Sequence, residues 1–442
     1  MSSRRSLAAQ AADLAVALRS GGLPEDSAAL IDLIGELETL KSAACAAQGE
    51  AAVAYDAARR SVESAQGVPA RRQGRGVAAE IALARRESPH RGQTLLGLGK
   101  ILHHEMPHTR ARLADGRLSE FRAILLVRET ACLTAEQRLF VDEELCADPA
   151  ALDGIGTREL VARAKRAAYE IDPAAVVRRA RNAESDRNVT VRPAPDTMTY
   201  LTSLLPVAQG VAVHAVLGRD ADALRAKGDT RGRGQLMADL LVARITGADL
   251  VPDAPTPVPV MVNLTMADTT LLGGHRPAEI GAEGVVPETV PAEIARCLLS
   301  RALTADVGAW IRQLYVNHTG RLIGMTSKQR LYADGLADFL SARDLGICRT
   351  PFCDAPIRHR DHVQPVHAGG ETTADNGQGL CEACNQAKEA PDWRQWSVDD
   401  LRHTVEIRTP TGHRYRSQAP PPVGWREPRW VNNRPGVYTL VA

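Results

Sequence analysis

A multidomain chain with a mainly α front, an α+β middle region and a small metal-stapled C-terminal module is predicted by three features of the sequence. The chain has 442 residues, too many for one ordinary core and enough for about three domains. Apolar spacing changes along it, from helical periods in the first 180 residues to strand-like alternation after residue 187. Four of the eight cysteines, Cys348, Cys353, Cys381 and Cys384, crowd into 37 positions. The others, Cys45, Cys132, Cys146 and Cys297, lie singly in helical stretches, as small buried hydrophobes do.

Residues 1–180 read as a helical domain. The start, MSSRRSLAAQAADLAVAL, is basic, but Gln10 and Asp13 interrupt its apolar part, which favours a helix over a secretory signal. Leu30, Leu33, Ile34, Leu37 and Leu40 recur at helical spacing behind a cap at Asp26 or Ser27. In AEIALARRESPHRGQTLLGLGKIL (79–102), Ser88 and Pro89 stand between two short amphipathic runs, the outline of a helix-turn-helix. Residues 71–128 hold twelve Arg and Lys against five Asp and Glu. That excess makes Arg85 and Arg91 candidate DNA contacts, the alternative being a solvated face of an ordinary bundle. The front could equally form homo-oligomers or bind a protein partner.

Residues 181–340 read as an α+β region. NVTVRP and MTYLTSLL look like strands, as does VPVMVNLTM (258–266), with a Pro-rich linker, VPDAPTPVP (251–259), leading into it. IRQLYVNHTGRLIGMT (311–326) looks like a hairpin turning at His318–Gly320. All five tryptophans lie at or after position 310, which supports a separate unit over residues 341–416. Within it HTVEIRTPTGHRYR (403–416) reads as a hairpin turning at Pro410–Gly412, and residues 417–442 read as a Pro-rich irregular tail.

A formal net charge of +1 excludes a protein that coats nucleic acid by bulk electrostatics, so any DNA contact must be local. The 48 arginines against six lysines fit either phosphate recognition or GC-rich coding. No apolar run approaches the roughly 18 residues that would cross a bilayer. The expectation is therefore a cytoplasmic protein with no membrane segment, in which clustered cysteines bind metal rather than form disulfides. Four residues separate Cys348 from Cys353, two separate Cys381 from Cys384, and 27 lie between the pairs, which suits one tetrahedral four-cysteine zinc site. Metal binding on the order of 10 kcal/mol would supply most of the stability of so small a module.

Between the cysteine pairs stand Asp361, His362, Gly369, Gly370 and Asn376, and Asn385 and Lys388 follow the second pair. The pattern C-x4-C…DHVxP…GG…DN…LCxxCNxxK, spanning residues 343–393, resembles the zinc-stapled HNH endonucleases. RDLGICRTPFC, GRLIGMT, DRNVTVRPAPDTMTYLTSLLP and the Ala/Arg-rich front extend the likeness. Together they resemble a large bacterial and phage family that joins a long helical domain of unknown function to a C-terminal HNH module.

The resemblance implies a treble-clef-like ββα-metal module and a metal-dependent DNA endonuclease. It makes Asp361 and Asn385 ligands of Mg²⁺ or another divalent ion, His362 the general base, and Asn376 the residue that ties down the loop bearing the histidine. Arg360 and Lys388 are possible phosphate contacts. Asn385 replaces the histidine of many relatives, but an amide oxygen is a competent ligand for a hard cation. His359 and His367 are alternative bases outside the motif position. A competing reading keeps the zinc-stapled fold as a catalytically weak DNA-binding module. Neighbours on a regular strand point to opposite faces, so Asp361 and His362 can converge only where the strand bends, and Pro365 is consistent with the strand ending there.

Overall fold

The computed structural model describes residues 6–247, 263–281, 286–304, 334–423, 429–434 and 437–441. Two compact units result, Met1–Ala58 with Leu95–Arg179, and Arg59–Thr94 with Ala180–Ala442. The front of the chain runs through α1 (Leu7–Ser20), α2 (Ser27–Ala65), α3 (Val77–Arg85), α4 (Pro89–His104), α5 (Pro107–Ala114), α6 (Glu120–Glu129), α7 (Ala135–Cys146), α8 (Thr157–Ile171) and α9 (Pro173–Asn182).

The helices begin where the sequence supplies caps. Asp26 Oδ2 accepts from Ala29 N (2.9 Å) ahead of α2, Ser88 Oγ accepts from Arg91 N (3.4 Å) ahead of α4, and Thr134 with Gln137 forms a reciprocal capping box on α7. Helix α5 is capped from a distance instead. The fully buried Asp142 on α7 accepts from the amides of His108 (2.6 Å) and Thr109 (2.8 Å), which satisfies two orphan donors and locks the two helices together. Leu98, Leu102, Met106, Leu113, Leu118, Leu126 and Leu160 fill the core of this first unit.

In the second unit β1 (Asn188–Ala194) and β2 (Met198–Leu204) form an antiparallel hairpin. Asp196 and Thr197 in its turn both have positive φ, 62° and 60°, the mirror-image turn that matches strand twist. Helices α10 (Val207–Ala226) and α11 (Arg233–Thr246) pack through Leu217, Ala221, Leu236 and Leu240. Then β3 (Asn263–Thr265), α12 (Asp268–Leu271), β4 (Ala278–Gly281), β5 (Glu288–Val290) and α13 (Ala292–Thr304) follow, the strands in the order β3-β4-β5. Of the strand expected over 258–266 only its end is described, as β3. The linker at 251–259 and the hairpin at 311–326 lie outside the described residues.

The C-terminal elements are α14 (Asp334–Arg343), β6 (His359–His362), β7 (Gly377–Leu380), α15 (Glu382–Lys388), β8 (Arg394–Val398), β9 (Thr404–Arg408) and β10 (Arg414–Gln418). Strands β6 and β7 pair antiparallel, and β10-β9-β8 form a second sheet over Val363, Val405, Ile407 and Trp393. The hairpin over 403–416 forms as expected, with Gly412 at φ 86° in its turn. Helix α14 runs through residue 341 and packs Leu336, Phe339 and Leu340 with Ala374. The tail expected to be irregular contains β11 (Arg429–Arg434) and β12 (Val437–Val441), paired antiparallel. Its Trp, Val and Tyr carry a β preference that outweighs the flanking prolines.

Helix α3 packs against the C-terminal module within this second unit. Glu80 is 6% exposed, and its carboxylate accepts from Thr411 N (3.2 Å) and Thr411 Oγ1 in the β9–β10 turn. Gly76, at φ 83°, precedes the helix, and a Cβ there would lie 2.6 Å from Trp393 Nε1, so the close approach requires glycine. The helix-turn-helix outline is thus two real helices, but Val77, Glu80, Ile81, Ala82 and Leu83 of the first are buried in protein packing.

A buried ionic knot ties the module's parts together. Asp344, 1% exposed, accepts from Arg343 Nε (2.8 Å), Arg349 (3.3 Å) and Gly379 N (2.9 Å). Arg343 also donates to Ala374 O and Gly377 O, and Arg349 to His403 O and Ser417 O. Burial alone pushes the Asp344 carboxyl up, but the two guanidiniums outweigh it and hold it below the ordinary carboxylate range. Burial lowers Arg349 to about 10, which leaves it charged at neutral pH. Replacing Asp344 by Ala leaves two buried cations uncompensated and should cost about 3–5 kcal/mol in denaturant unfolding of the module. A loss below about 1 kcal/mol would show that the knot is dispensable.

His403 sits beside the same arginines. Its Nε2 lies 3.0 Å from Asp375 O, and its Nδ1 has no hydrogen-bond partner among the described residues. Burial first, then the charges of Arg343 and Arg349, push the imidazole down to about 3. Because the folded value lies below the ordinary value near 6.5, the unfolded chain binds the extra proton. His403 therefore contributes full stability above about pH 6.5 and loses it as pH falls. Between pH 6.5 and 5 the parent should lose up to about 1.4 kcal/mol per pH unit more than His403→Gln. Parallel pH profiles for the two proteins would contradict this.

Candidate active site

Two knuckles and a helix start bring the four clustered cysteines together. Cys348 N donates to Ala355 O (2.9 Å) and Cys353 N to Thr350 O (3.1 Å), which folds the first pair back on itself. Cys381 is the N-cap of α15 and its sulfur accepts from Cys384 N (3.4 Å). All four residues are buried, their sulfurs lie within 4.8 Å of one another, and Cys353 Sγ is 3.7 Å from Cys381 Sγ. Tetrahedral thiolates about 2.3 Å from a shared ion stand roughly 3.8 Å apart, so the cluster fits a metal.

Strand β6 leads from this cluster to the acid–imidazole pair. In its register Asp361 faces Gln378 and His362 faces Gly377. His362 is 6% exposed and Asp361 is half-buried, yet Asp361 Oδ1 and His362 Nδ1 come within 4.0 Å where the strand ends. The other ring nitrogen, Nε2, lies 2.9 Å from Thr372 Oγ1. Thr372 carried no signal in the sequence, because the contact depends on how the loop between β6 and β7 closes.

That loop is closed by Asn376 and the diglycine. Asn376 Oδ1 accepts from Gln364 N (2.8 Å), while its Nδ2 donates to Gln364 O (3.0 Å) and Glu371 O (2.8 Å). Gly369 has φ 87°, and a Cβ on Gly370 would lie 1.9 Å from Gln364 O and 2.8 Å from Asn376 Nδ2. The pair supplies one left-handed residue and one without room for a side chain.

Helix α15 carries the remaining residues, and its Lys388 reaches β6. Asn385 Oδ1 is buried without a hydrogen-bond partner among the described residues, an acceptor with a lone pair to offer. Lys388 departs from its expected place among phosphate contacts. Its side chain is 5% exposed, and its Nζ contacts Asp361 Oδ2 and donates to His362 O (2.7 Å). The helix turns it inward, where a buried ammonium needs an anion.

Arg360 is half-buried and donates to Ser341 Oγ (3.1 Å), while the alternative bases His359 and His367 are exposed. Arg85 ends α3 and Arg91 lies in the first turn of α4, both half-buried. Among the described residues no helix is long and apolar enough to cross a membrane.

The family described as "Domain of unknown function (DUF222)" matches residues 37–344, and the one described as "HNH endonuclease" matches residues 346–390. No curated protein and no solved structure matches the chain. With well over half of its length matched, the chain belongs to the DUF222 family and carries an HNH endonuclease domain directly behind that region.

Proposed function

We propose that this protein is a metal-dependent DNA endonuclease, with zinc in the four-cysteine cluster and Mg²⁺ or a similar divalent ion held by Asp361 and Asn385. The observation that carries the reading is the acid–imidazole pair at the end of β6, beside a helix α15 that bears a buried amide oxygen, Asn385 Oδ1, with no hydrogen-bond partner among the described residues. When bound, a divalent ion supplies polarisation of the phosphate and stabilisation of the leaving oxygen. In the tautomer that donates Nε2–H to Thr372 Oγ1, His362 would offer Nδ1 to a proton from the attacking water. Thr372 fixes the ring, Asn376 fixes the loop that carries Thr372, and the cysteine cluster fixes the start of α15. Arg360 and the basic segment bearing Arg85 and Arg91 are the proposed DNA contacts. A second reading, a DNA-binding module without turnover, is favoured by the lysine seated on Asp361.

Cleavage of supercoiled plasmid separates the two readings. The parent should cut only with added Mg²⁺ or Mn²⁺, and His362→Ala should keep its zinc but cut roughly 10²- to 10⁴-fold more slowly. A parent that never cuts with either metal supports the binding module, and a His362→Ala protein that cuts at the parental rate removes His362 as the base.

Tethering by the front is read from salt dependence. If Arg85 and Arg91 each meet a phosphate, the full chain carrying Arg85→Gln with Arg91→Gln should show a log affinity against log salt slope shallower by about 2. Identical slopes on the same duplex would exclude those contacts.

A further inference from the structure

Lys388 is a lysine in a chain that carries 48 arginines and six lysines, and it is buried at the one carboxylate assigned to the divalent ion. Its side chain is 5% exposed, so its ammonium depends on neighbouring protein groups. Asp361 Oδ2 supplies the opposite charge and His362 O accepts a hydrogen bond at 2.7 Å. Glu389 lies further away, 3.6 Å from Nζ, and is itself 52% exposed, so water screens it. A compact ammonium fits this position, whereas a guanidinium fork would need more acceptors in one plane.

We infer that Lys388 is a resident counter-cation that sets the metal affinity of the site, an inference that rests on Asp361 as a ligand. Asp361 is neutralised by the lysine before any ion arrives. A divalent ion must therefore bind beside a fixed positive charge and share its carboxylate with it. Removing that charge relieves a repulsion between groups a few ångströms apart, which in a half-buried site amounts to an affinity gain on the order of tenfold or more. The lysine also grips the backbone carbonyl of His362, so it holds both halves of the acid–imidazole pair in register. Lys388 is thus a positioning residue whose charge limits how readily the site loads.

The test is Mn²⁺ binding, followed by electron paramagnetic resonance, to the full-length, zinc-loaded protein without DNA. Lys388→Met and Lys388→Gln should each bind Mn²⁺ at least about tenfold more tightly than the parent. Zinc content and melting temperature identify any misfolded variant, and Gln, which can still bond His362 O, decides the matter if Met proves unstable. Asp361→Asn serves as the control on the underlying assignment. If Asp361→Asn loses the ion while neither neutral variant binds more tightly than the parent, the ligand stands and the counter-cation is overturned. If Asp361→Asn binds Mn²⁺ like the parent, the ligand assignment falls and the inference falls with it.

Discussion

Four cysteine sulfurs within 4.8 Å of one another fix the one point from which the rest of the C-terminal module is laid out. The apolar clusters around them are small, Leu380 with the cysteines on one side and Val363, Val405 and Ile407 on the other. A module of this size cannot rely on such cores alone. Cys381 is at once a member of the cluster and the N-cap of α15, so the position that gathers the sulfurs also sets where that helix starts. Asn385 and Lys388 are one and nearly two turns further along, and the approach of Lys388 to β6 follows from that start.

Charge is handled differently at the two buried sites of this module. Around Asp344 two arginines share one carboxylate, and they also donate to the carbonyls of Ala374, Gly377, His403 and Ser417 and to Ser417 Oγ. That arrangement serves to hold strands in place. At Asp361 one lysine meets one carboxylate, with an unpartnered amide oxygen on the same helix. Unsatisfied polar atoms are costly in a native interior, and at Asn385 Oδ1 a bound cation would offset that cost.

Legibility from sequence divides along the same line. Cysteine spacing, the acid–imidazole pair, the diglycine and the hairpin over residues 403–416 are local patterns, and each appears where its spacing placed it. The caps at Asp26 and Ser88 were equally legible, because a cap acts within one turn. What escaped depends on contacts between distant segments. Thr372 reaches His362 only once the loop has closed, and Glu80 bonds Thr411 across 331 positions. Lys388 looks like any helix-surface cation until the direction of α15 is known. The paired strands at 429–441 were hidden by flanking prolines that weigh heavily on composition but do not enter the strands.

The packing of α3 on the module changes what the front of the chain can be doing. Its buried face carries Glu80 and Leu83, so any nucleic acid must be met by the opposite face and by α4. The residues 59–94 are therefore part of the unit that carries the HNH domain, whatever they touch outside it. The central claim is that the unit holds two chemically distinct ions, and locating them is the most direct test. Anomalous diffraction from crystals of the full chain grown with Mn²⁺ should show zinc centred among Cys348, Cys353, Cys381 and Cys384, and manganese bounded by Asp361 and Asn385. A manganese peak elsewhere, with none beside Asp361, would contradict it.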